Sequence, residues 1–334
     1  MTDLLICNPV LIGLDWGTSS LRAFLMGERG TVLDQRSSRH GIQNLPAEGR
    51  EGFETAFRVI CGSWVDRYPG VPVVAGGMVG SAQGWTEAPY VACPADVETL
   101  AEHAASVETA SGVRVLIAPG VLYDPADAAP DVMRGEEIQI AGALARTPAW
   151  AGKSLMALPG THSKWARVRQ GRIEGFSTHM TGELFSILRR HSILGRLMAD
   201  DPQPSVDAVE AAFLSGVSKA RDEASGDLLH QLFSVRTLSL RGRLAPTLSS
   251  EYLSGLLIGH ELRSVLSSED AGEREGLPLA LIGDVGLCRR YARALTVFGV
   301  GSAALCENTA PPGLFCFASA ARLIPPADEV SDVR

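Results

Sequence analysis

Leu11-Ile12-Gly13-Leu14 is an apolar run that ends at Asp15-Trp16-Gly17-Thr18-Ser19-Ser20 and passes into a second, half-apolar run, Leu21-Arg22-Ala23-Phe24-Leu25. The same order returns as Leu155-Met156-Ala157-Leu158, Pro159-Gly160-Thr161-His162-Ser163 and Lys164-Trp165-Ala166-Arg167-Val168. A glycine turn and a third short run follow each copy: Gly27-Glu28-Arg29-Gly30 before Thr31-Val32-Leu33, and Gln170-Gly171 before Arg172-Ile173. Short apolar runs punctuated in this way read as strands joined by tight turns. The repetition predicts two similar halves. A Gly-Thr tip also lets backbone amides approach an anion, because glycine has no Cβ. Two such tips facing each other across a cleft would hold a polyphosphate from both sides; two ordinary tight hairpins are the alternative.

The remaining pattern predicts an α/β order. In the first half it gives three strands to about Arg36, a helix over Phe53–Tyr68, a strand at Val71–Ala75 and a loop to about Pro94. A helical Ala95–Glu108, a strand at Val113–Ala118 and a helix over Glu136–Arg146 follow, the last with Ile138, Ile140, Ala141 and Leu144 on its apolar side. Thr147-Pro148-Ala149-Trp150-Ala151-Gly152 breaks that helix, so the domain boundary is expected there: 1–148 as one domain and 149–334 as the other, with the last helix available to pack back on the first domain. Beyond it, Ser205 after Pro204 reads as the N-cap of a helix carrying Val206, Val209, Phe213 and Val217. Glu251–Leu266 reads as a helix, Leu277–Ile282 as a strand running into Gly283-Asp284-Val285-Gly286, Val297–Val300 as a short strand, and about Gly313 to Leu323 as a helix. The tail from Pro325 is expected to fray.

Length and charge narrow the class. A chain of 334 residues is long enough for two cores. A net charge of -8 without a long Lys/Arg run argues against nucleic acid as a partner. No apolar stretch approaches the roughly 20 residues of a membrane span, and Met1 to Cys7 lacks the basic start of a signal peptide. The six cysteines (Cys7, Cys61, Cys93, Cys288, Cys306, Cys316) have no Cys-x-x-Cys spacing and read as reduced thiols of a cytoplasmic protein.

Three familiar motifs are nearly present and fail. Gly152-Lys153-Ser154 looks like the end of a P-loop, but position 147 is Thr and the strand follows instead of preceding. Gly76-Gly77-Met78-Val79-Gly80 follows a strand without the G-x-G-x-x-G spacing of a dinucleotide turn. The histidines at 40, 103, 162, 179, 191, 230 and 260 form no zinc-binding spacing.

Asp15-Trp16-Gly17-Thr18-Ser19-Ser20-Leu21-Arg22 resembles the first phosphate motif of the sugar kinase, Hsp70 and actin superfamily. Gly160-Thr161-His162-Ser163 resembles its second phosphate motif, and Leu281-Ile282-Gly283-Asp284-Val285-Gly286 its adenosine motif, with Gly283-Asp284 in place of the usual Gly-Gly. Five further blocks narrow the likeness: Gly76 to Trp85 with Ala88-Pro89-Tyr90, Val132-Met133-Arg134-Gly135-Glu136-Glu137, Leu158-Pro159-Gly160-Thr161-His162-Ser163-Lys164-Trp165, Thr181-Gly182-Glu183-Leu184, and Phe213-Leu214-Ser215-Gly216. Together they resemble the 2-dehydro-3-deoxygalactonate kinase family over nearly the whole chain.

The resemblance implies two actin-like, ribonuclease H-like α/β domains, with mixed sheets flanked by helices and the active-site cleft between them. It implies a cytoplasmic enzyme of galactonate breakdown that moves the γ-phosphate of ATP to the 6-hydroxyl of 2-dehydro-3-deoxy-D-galactonate. A kinase for another sugar or sugar acid, such as the gluconate-derived epimer, and a nucleotide-driven chaperone-type switch of the same fold are the alternatives; a homodimer is admitted.

Phosphoryl transfer asks the protein to position the γ-phosphate, neutralise its charge and orient the acceptor hydroxyl. Asp15 is the candidate for Mg²⁺ or its waters, a hard ion that prefers oxygen. Gly17, Thr18 and Ser19, with Gly160, Thr161 and His162, are the candidates for the phosphates; Arg22 and Lys164 would add positive charge, and Gly283 and Asp284 would border the nucleotide. The related glycerol and pentulose kinases carry their base in a Gly-Asp-Gln block at a helix start, and Gly135-Glu136-Glu137 holds that place here. Glu136 is therefore the expected base, with Glu137 as second candidate. Arg134 is expected to meet the sugar-acid carboxylate, and Gly77, Met78, Ser81, Gln83, Trp85 and Tyr90 to form the acceptor loop with an aromatic wall.

Overall fold

In the computed structural model, which describes residues 8–200, 202–222, 226–268 and 276–325, strand β1 (Leu11–Trp16) pairs antiparallel with β2 (Leu21–Met26), and β2 with β3 (Val32–Ser38). On its other side β1 runs parallel to β4 (Val73–Gly76), and β4 parallel to β7 (Arg114–Ile117), with β6 (Ala105–Glu108) antiparallel at the edge. The order is β3-β2-β1-β4-β7-β6. Three further strands, β5 (Tyr90–Ala92), β8 (Gly120–Tyr123) and β9 (Asp131–Met133), make a small sheet in the order β5-β8-β9.

The second large sheet repeats the plan. Its strands are β10 (Lys153–Leu158), β11 (Ser163–Arg169), β12 (Arg172–His179), β13 (Leu279–Ile282) and β14 (Ala304–Cys306), in the order β12-β11-β10-β13-β14. β10 runs parallel to β13, and β13 to β14. Both sheets thus place their strands third, second, first, fourth, fifth, the first sheet adding β6 at its edge. Parallel neighbours need long crossovers, and the helices supply them: α1 (Gly49–Arg67) before β4, and α8 (Val285–Val297) before β14.

The chain divides into two compact units. One gathers residues up to Lys153 with Arg167–Phe176 and the chain from Asn308; the other gathers Ser154–Ala166 with Ser177–Glu307. In the first, Trp16, Phe53, Phe57 and Trp85 cluster within one core beside α1. Helices α2 (Val97–Glu102), α3 (Glu136–Arg146) and α9 (Ala310–Ala320) also belong to it. A Cβ on Gly142 of α3 would strike the Thr309 carbonyl oxygen, and one on Gly313 of α9 would strike that of Ile138, so these two helices touch backbone to backbone. The second unit contains α4 (Thr181–His191), α5 (Val206–Arg221), α6 (Leu228–Leu240), α7 (Ser249–Ser268) and α8 (Val285–Val297). Ser205 caps α5, accepting the Ala208 N–H as expected.

Two expected elements are corrected. The helical Ala95–Glu108 ends after α2, and Ala105–Glu108 becomes β6, because pairing with β7 outweighs local helical pattern. The strand expected at Val297–Val300 lies later, at Ala304–Cys306, since α8 runs on to Val297. The expectations for Met1–Cys7 and for the tail beyond Pro325 fall outside the described residues. Among the described residues five cysteines are free thiols, and no helix is long and apolar enough to cross a membrane.

Candidate active site

The first turn follows directly from β1. Gly17 N–H donates to Ser20 O at 2.9 Å, and the returning chain clasps the turn from outside, Ile42 N–H to Gly17 O and Gln43 N–H to Thr18 O, both 3.1 Å. A Cβ on Gly17 would meet only the Ser20 carbonyl, at 3.7 Å, and one on Gly160 would meet nothing within 4 Å. The protein's own packing therefore does not demand glycine at either tip. Both tips leave room for a group that comes close to the backbone.

Asp15 and Arg22 are direct partners on the β1–β2 ladder, and Arg22 Nη2 lies 3.1 Å from Asp15 Oδ2. That oxygen is enclosed, and the approach of Arg22 does not meet hydrogen-bond geometry. Burial raises the carboxyl's pKa and the Arg22 charge partly opposes it. Asp15 also sits beside Gly76 in the parallel β1–β4 register.

Gly77 (φ 97°) and Gly135 (φ 106°) bring helix α3 to this edge. A Cβ on Gly77 would lie 2.8 Å from the Trp16 carbonyl oxygen, and one on Gly135 would lie 3.1 Å from Gly77 Cα. Only glycine allows both the left-handed backbone and the approach. The acids of the first turn of α3 turn back on the amides of the two residues just before the helix, where the positive end of its dipole favours them. Glu137 accepts the Gly135 N–H at 2.7 and 2.8 Å, and Glu136 Oε2 accepts the Arg134 N–H at 3.1 Å. Glu137 is 1 % exposed; burial, then the neighbouring Glu136 charge, push its carboxyl up to about 8, so it is protonated at neutral pH. Glu136 is half-buried and keeps access to solvent.

The acceptor loop places its expected residues in three settings. Gln83 and Tyr90 are exposed and Met78 is half-buried. Ser81 is buried with its Oγ enclosed and unbonded. Trp85, expected in the aromatic wall, faces the core instead: it stacks on Phe53 at 6.0 Å and 9° and meets Trp16 edge-on at 5.7 Å. Tyr90 is the aromatic residue left at the surface. Arg134, only 9 % exposed, donates through Nη2 to Ala88 O at 2.9 Å and lies 4.4 Å beneath the Tyr90 ring centre. Its Nε and Nη1 are enclosed without a partner. In this conformation Arg134 braces the loop, covered by Tyr90, and does not present its charge to the surface.

In the second unit the Gly160-Thr161 tip rests on the first turn of α4. Glu183 N–H donates to Thr161 O at 3.0 Å, and a Cβ on Gly182 would press on Gly160 O. The exposed His162 pairs through Nε2 with Glu183. Lys164, expected to add charge at the tip, is 6 % exposed and donates to Thr178 Oγ1 at 2.7 Å, because its position on β11 turns it toward β12. Asp284, expected at the nucleotide, caps α8 by accepting the Leu287 N–H at 2.8 Å. Gly283 (φ 136°) bonds back to Cys306 O at 3.1 Å, its Cβ direction open except for Pro159 O at 3.7 Å.

A buried network that the sequence reading did not find stands behind this tip. Ser163 Oγ lies 2.9 Å from Tyr291 Oη, Tyr291 donates to Glu261 Oε2 at 2.7 Å, Trp165 Nε1 donates to Glu261 Oε1 at 2.7 Å, and Thr181 Oγ1 also donates to Glu261 Oε2. Its one local signal is an acid at 261 midway between the buried Leu257 and Val265, four residues away on either side of α7.

The sequence model described as 2-keto-3-deoxy-galactonokinase matches residues 15–317. A Rhizobium meliloti (strain 1021) protein named as a probable 2-dehydro-3-deoxygalactonokinase is 38% identical over 288 residues, covering 86% of this chain and 89% of the relative. The Escherichia coli (strain K12) 2-dehydro-3-deoxygalactonokinase is 34% identical over 302 residues, covering 90% and 94%. A crystal structure of a Sinorhizobium meliloti protein assigned to the same activity superposes with a TM-score of 0.80 at 36% identity, covering 93% of this chain and 98% of that one.

Proposed function

This chain belongs to the 2-keto-3-deoxy-galactonokinase family, and we propose that it transfers the γ-phosphate of ATP to the 6-hydroxyl of 2-dehydro-3-deoxy-D-galactonate, in the cytoplasm. The observation that carries the chemistry is the pair of matching tips. Each follows the first strand of a sheet with the same strand order, and each holds a glycine that its neighbours do not require. Backbone amides exposed in this way suit phosphate oxygens.

Each group has a stated part. The amides and hydroxyls of Gly17, Thr18 and Ser19, and those of Gly160, Thr161 and His162, would bind the outer phosphates. The enclosed Asp15 Oδ2, which lacks a hydrogen-bond donor, fits Mg²⁺ or a magnesium-bound water. Among the described residues no group of three or more His, Cys, Asp or Glu gathers as a metal cluster; a single carboxylate with phosphate and water oxygens is an ordinary Mg²⁺ shell. When bound, the ion would neutralise charge on the phosphates.

Glu136 is the proposed base. The bond from the γ-phosphorus to the ADP oxygen breaks, a bond to the acceptor oxygen forms, and the hydroxyl proton passes to the Glu136 carboxylate. Glu137, protonated and folded onto Gly135, serves the helix start instead. Gln83 and Tyr90 at the loop surface would contact the acceptor, with Arg134 holding Ala88 and Tyr90 in place.

An ADP-release assay with ATP, magnesium and a panel of sugar acids tests the reading. Turnover should require a 2-keto-3-deoxy sugar acid and favour the galactonate-derived one over its gluconate-derived epimer. Equal ATP hydrolysis with and without every sugar acid would reject it.

A further inference from the structure

Glu261 sits in the middle of α7, only 3 % exposed, and its carboxylate receives three donors from three different elements: Trp165 of β11, Tyr291 of α8 and Thr181 at the start of α4. Burying a carboxylate is costly unless its lone pairs are met, and here both oxygens are. The three donors are not scattered. β11 begins at Ser163, the last residue of the second tip; α4 carries Gly182 and Glu183, on which the tip rests; Tyr291 touches Ser163 itself.

The direction of the bonds can be worked out. Burial and the Glu261 charge hold the Tyr291 hydroxyl well above its usual pKa, so it keeps its proton and donates a hydrogen bond to Glu261. The Ser163 hydroxyl must then donate to Tyr291, which leaves its lone pairs toward the Gly160 N–H at 3.4 Å. A chain of donors runs from the tip to a single carboxylate.

We infer that Glu261 is a positioning residue for the Gly160–Ser163 turn, setting its shape through Tyr291 and Thr181 while contacting no substrate. The inference rests on the reading of that turn as a nucleotide phosphate site. Removing the carboxylate charge leaves its donors facing a group that cannot accept from all of them, so the turn loses its fixed shape without losing the strand it ends.

The test compares wild type, Glu261→Gln and Tyr291→Phe in the full chain. Tyr291→Phe keeps the ring and removes the one hydroxyl that joins Ser163 to Glu261, while Glu261 keeps Trp165 and Thr181 as donors, so it answers the question even if Glu261→Gln does not fold. Calorimetric titration with ADP and steady-state kinetics are read together. Expected is a loss of about tenfold in ADP affinity and a matching rise in KM for ATP, the scale of one buried hydrogen bond, with KM for the sugar acid within about twofold of wild type. Unchanged ADP affinity in a folded Tyr291→Phe, or equal rises in both KM values, would overturn the inference. Gly160→Val separates it from the underlying reading: that position has open space for a side chain, so if ADP affinity is unaffected there, the turn is not the phosphate site and the reading itself fails.

Discussion

The Glu137 carboxyl group lies 2.7–2.8 Å from the amide of Gly135, two residues earlier in the chain, and is buried in the first turn of α3. A carboxyl so placed holds its proton in the folded state up to about pH 8, against an ordinary 4.5 in the unfolded chain. The folded protein therefore binds more protons than the unfolded one across that interval. This contribution to stability is full below about pH 4.5 and is lost as the pH rises through about 8. Glu137→Gln, which needs no proton, should show a flatter dependence between pH 5 and 8. Urea unfolding midpoints of the two proteins at several pH values measure it, and parallel curves would refute the assignment.

Glu136 stands beside it with a different fate. It is half-buried, accepts the Arg134 N–H at 3.1 Å, and is the proposed acceptor of the hydroxyl proton. Glu136→Gln should lower kcat by about two to four orders of magnitude while ADP affinity stays near wild type. If that variant keeps near-normal turnover and Glu137→Gln abolishes it, the base is the other residue.

Helices α3 and α9 meet at Gly142 and Gly313, where added methyl groups would strike backbone carbonyls. Gly142→Ala should cost on the order of 1–3 kcal/mol, because backbone cannot yield as a side chain can. Gly152→Ala, with nothing within 4 Å of the new methyl, is the control and should be neutral or mildly stabilising. Chemical denaturation of both variants decides the matter.

Trp85 and Gln83 lie two residues apart and should behave oppositely. Trp85→Ala removes a buried ring from among Trp16, Phe53 and Phe57 and should cost about 3–5 kcal/mol of stability. Gln83→Ala touches the surface and should leave unfolding unchanged while raising KM for the sugar acid. A Trp85 variant of normal stability with only an altered KM would return that ring to the acceptor surface.

What the chain determined by itself is what depends on near neighbours. The repeated apolar runs and Gly-Thr turns at 11–25 and 155–168 became the first two strands of two sheets of one plan, because strand period and turn chemistry are local properties. The α3 start at Glu136 and the Ser205 cap were legible for the same reason. The tertiary structure decided whatever depended on a distant partner. Residues 105–108 are a strand only because β7 lies beside them, and Trp85 is core only because α1 supplies Phe53 and Phe57. Lys164 turns to Thr178 once β11 and β12 pair, and Glu261 gains its place only when β11, α4 and α8 converge on one carboxylate, bringing together residues as distant in the chain as Trp165 and Tyr291. Burial and long-range hydrogen bonds are set by which surfaces meet, and no window of neighbouring residues contains that information.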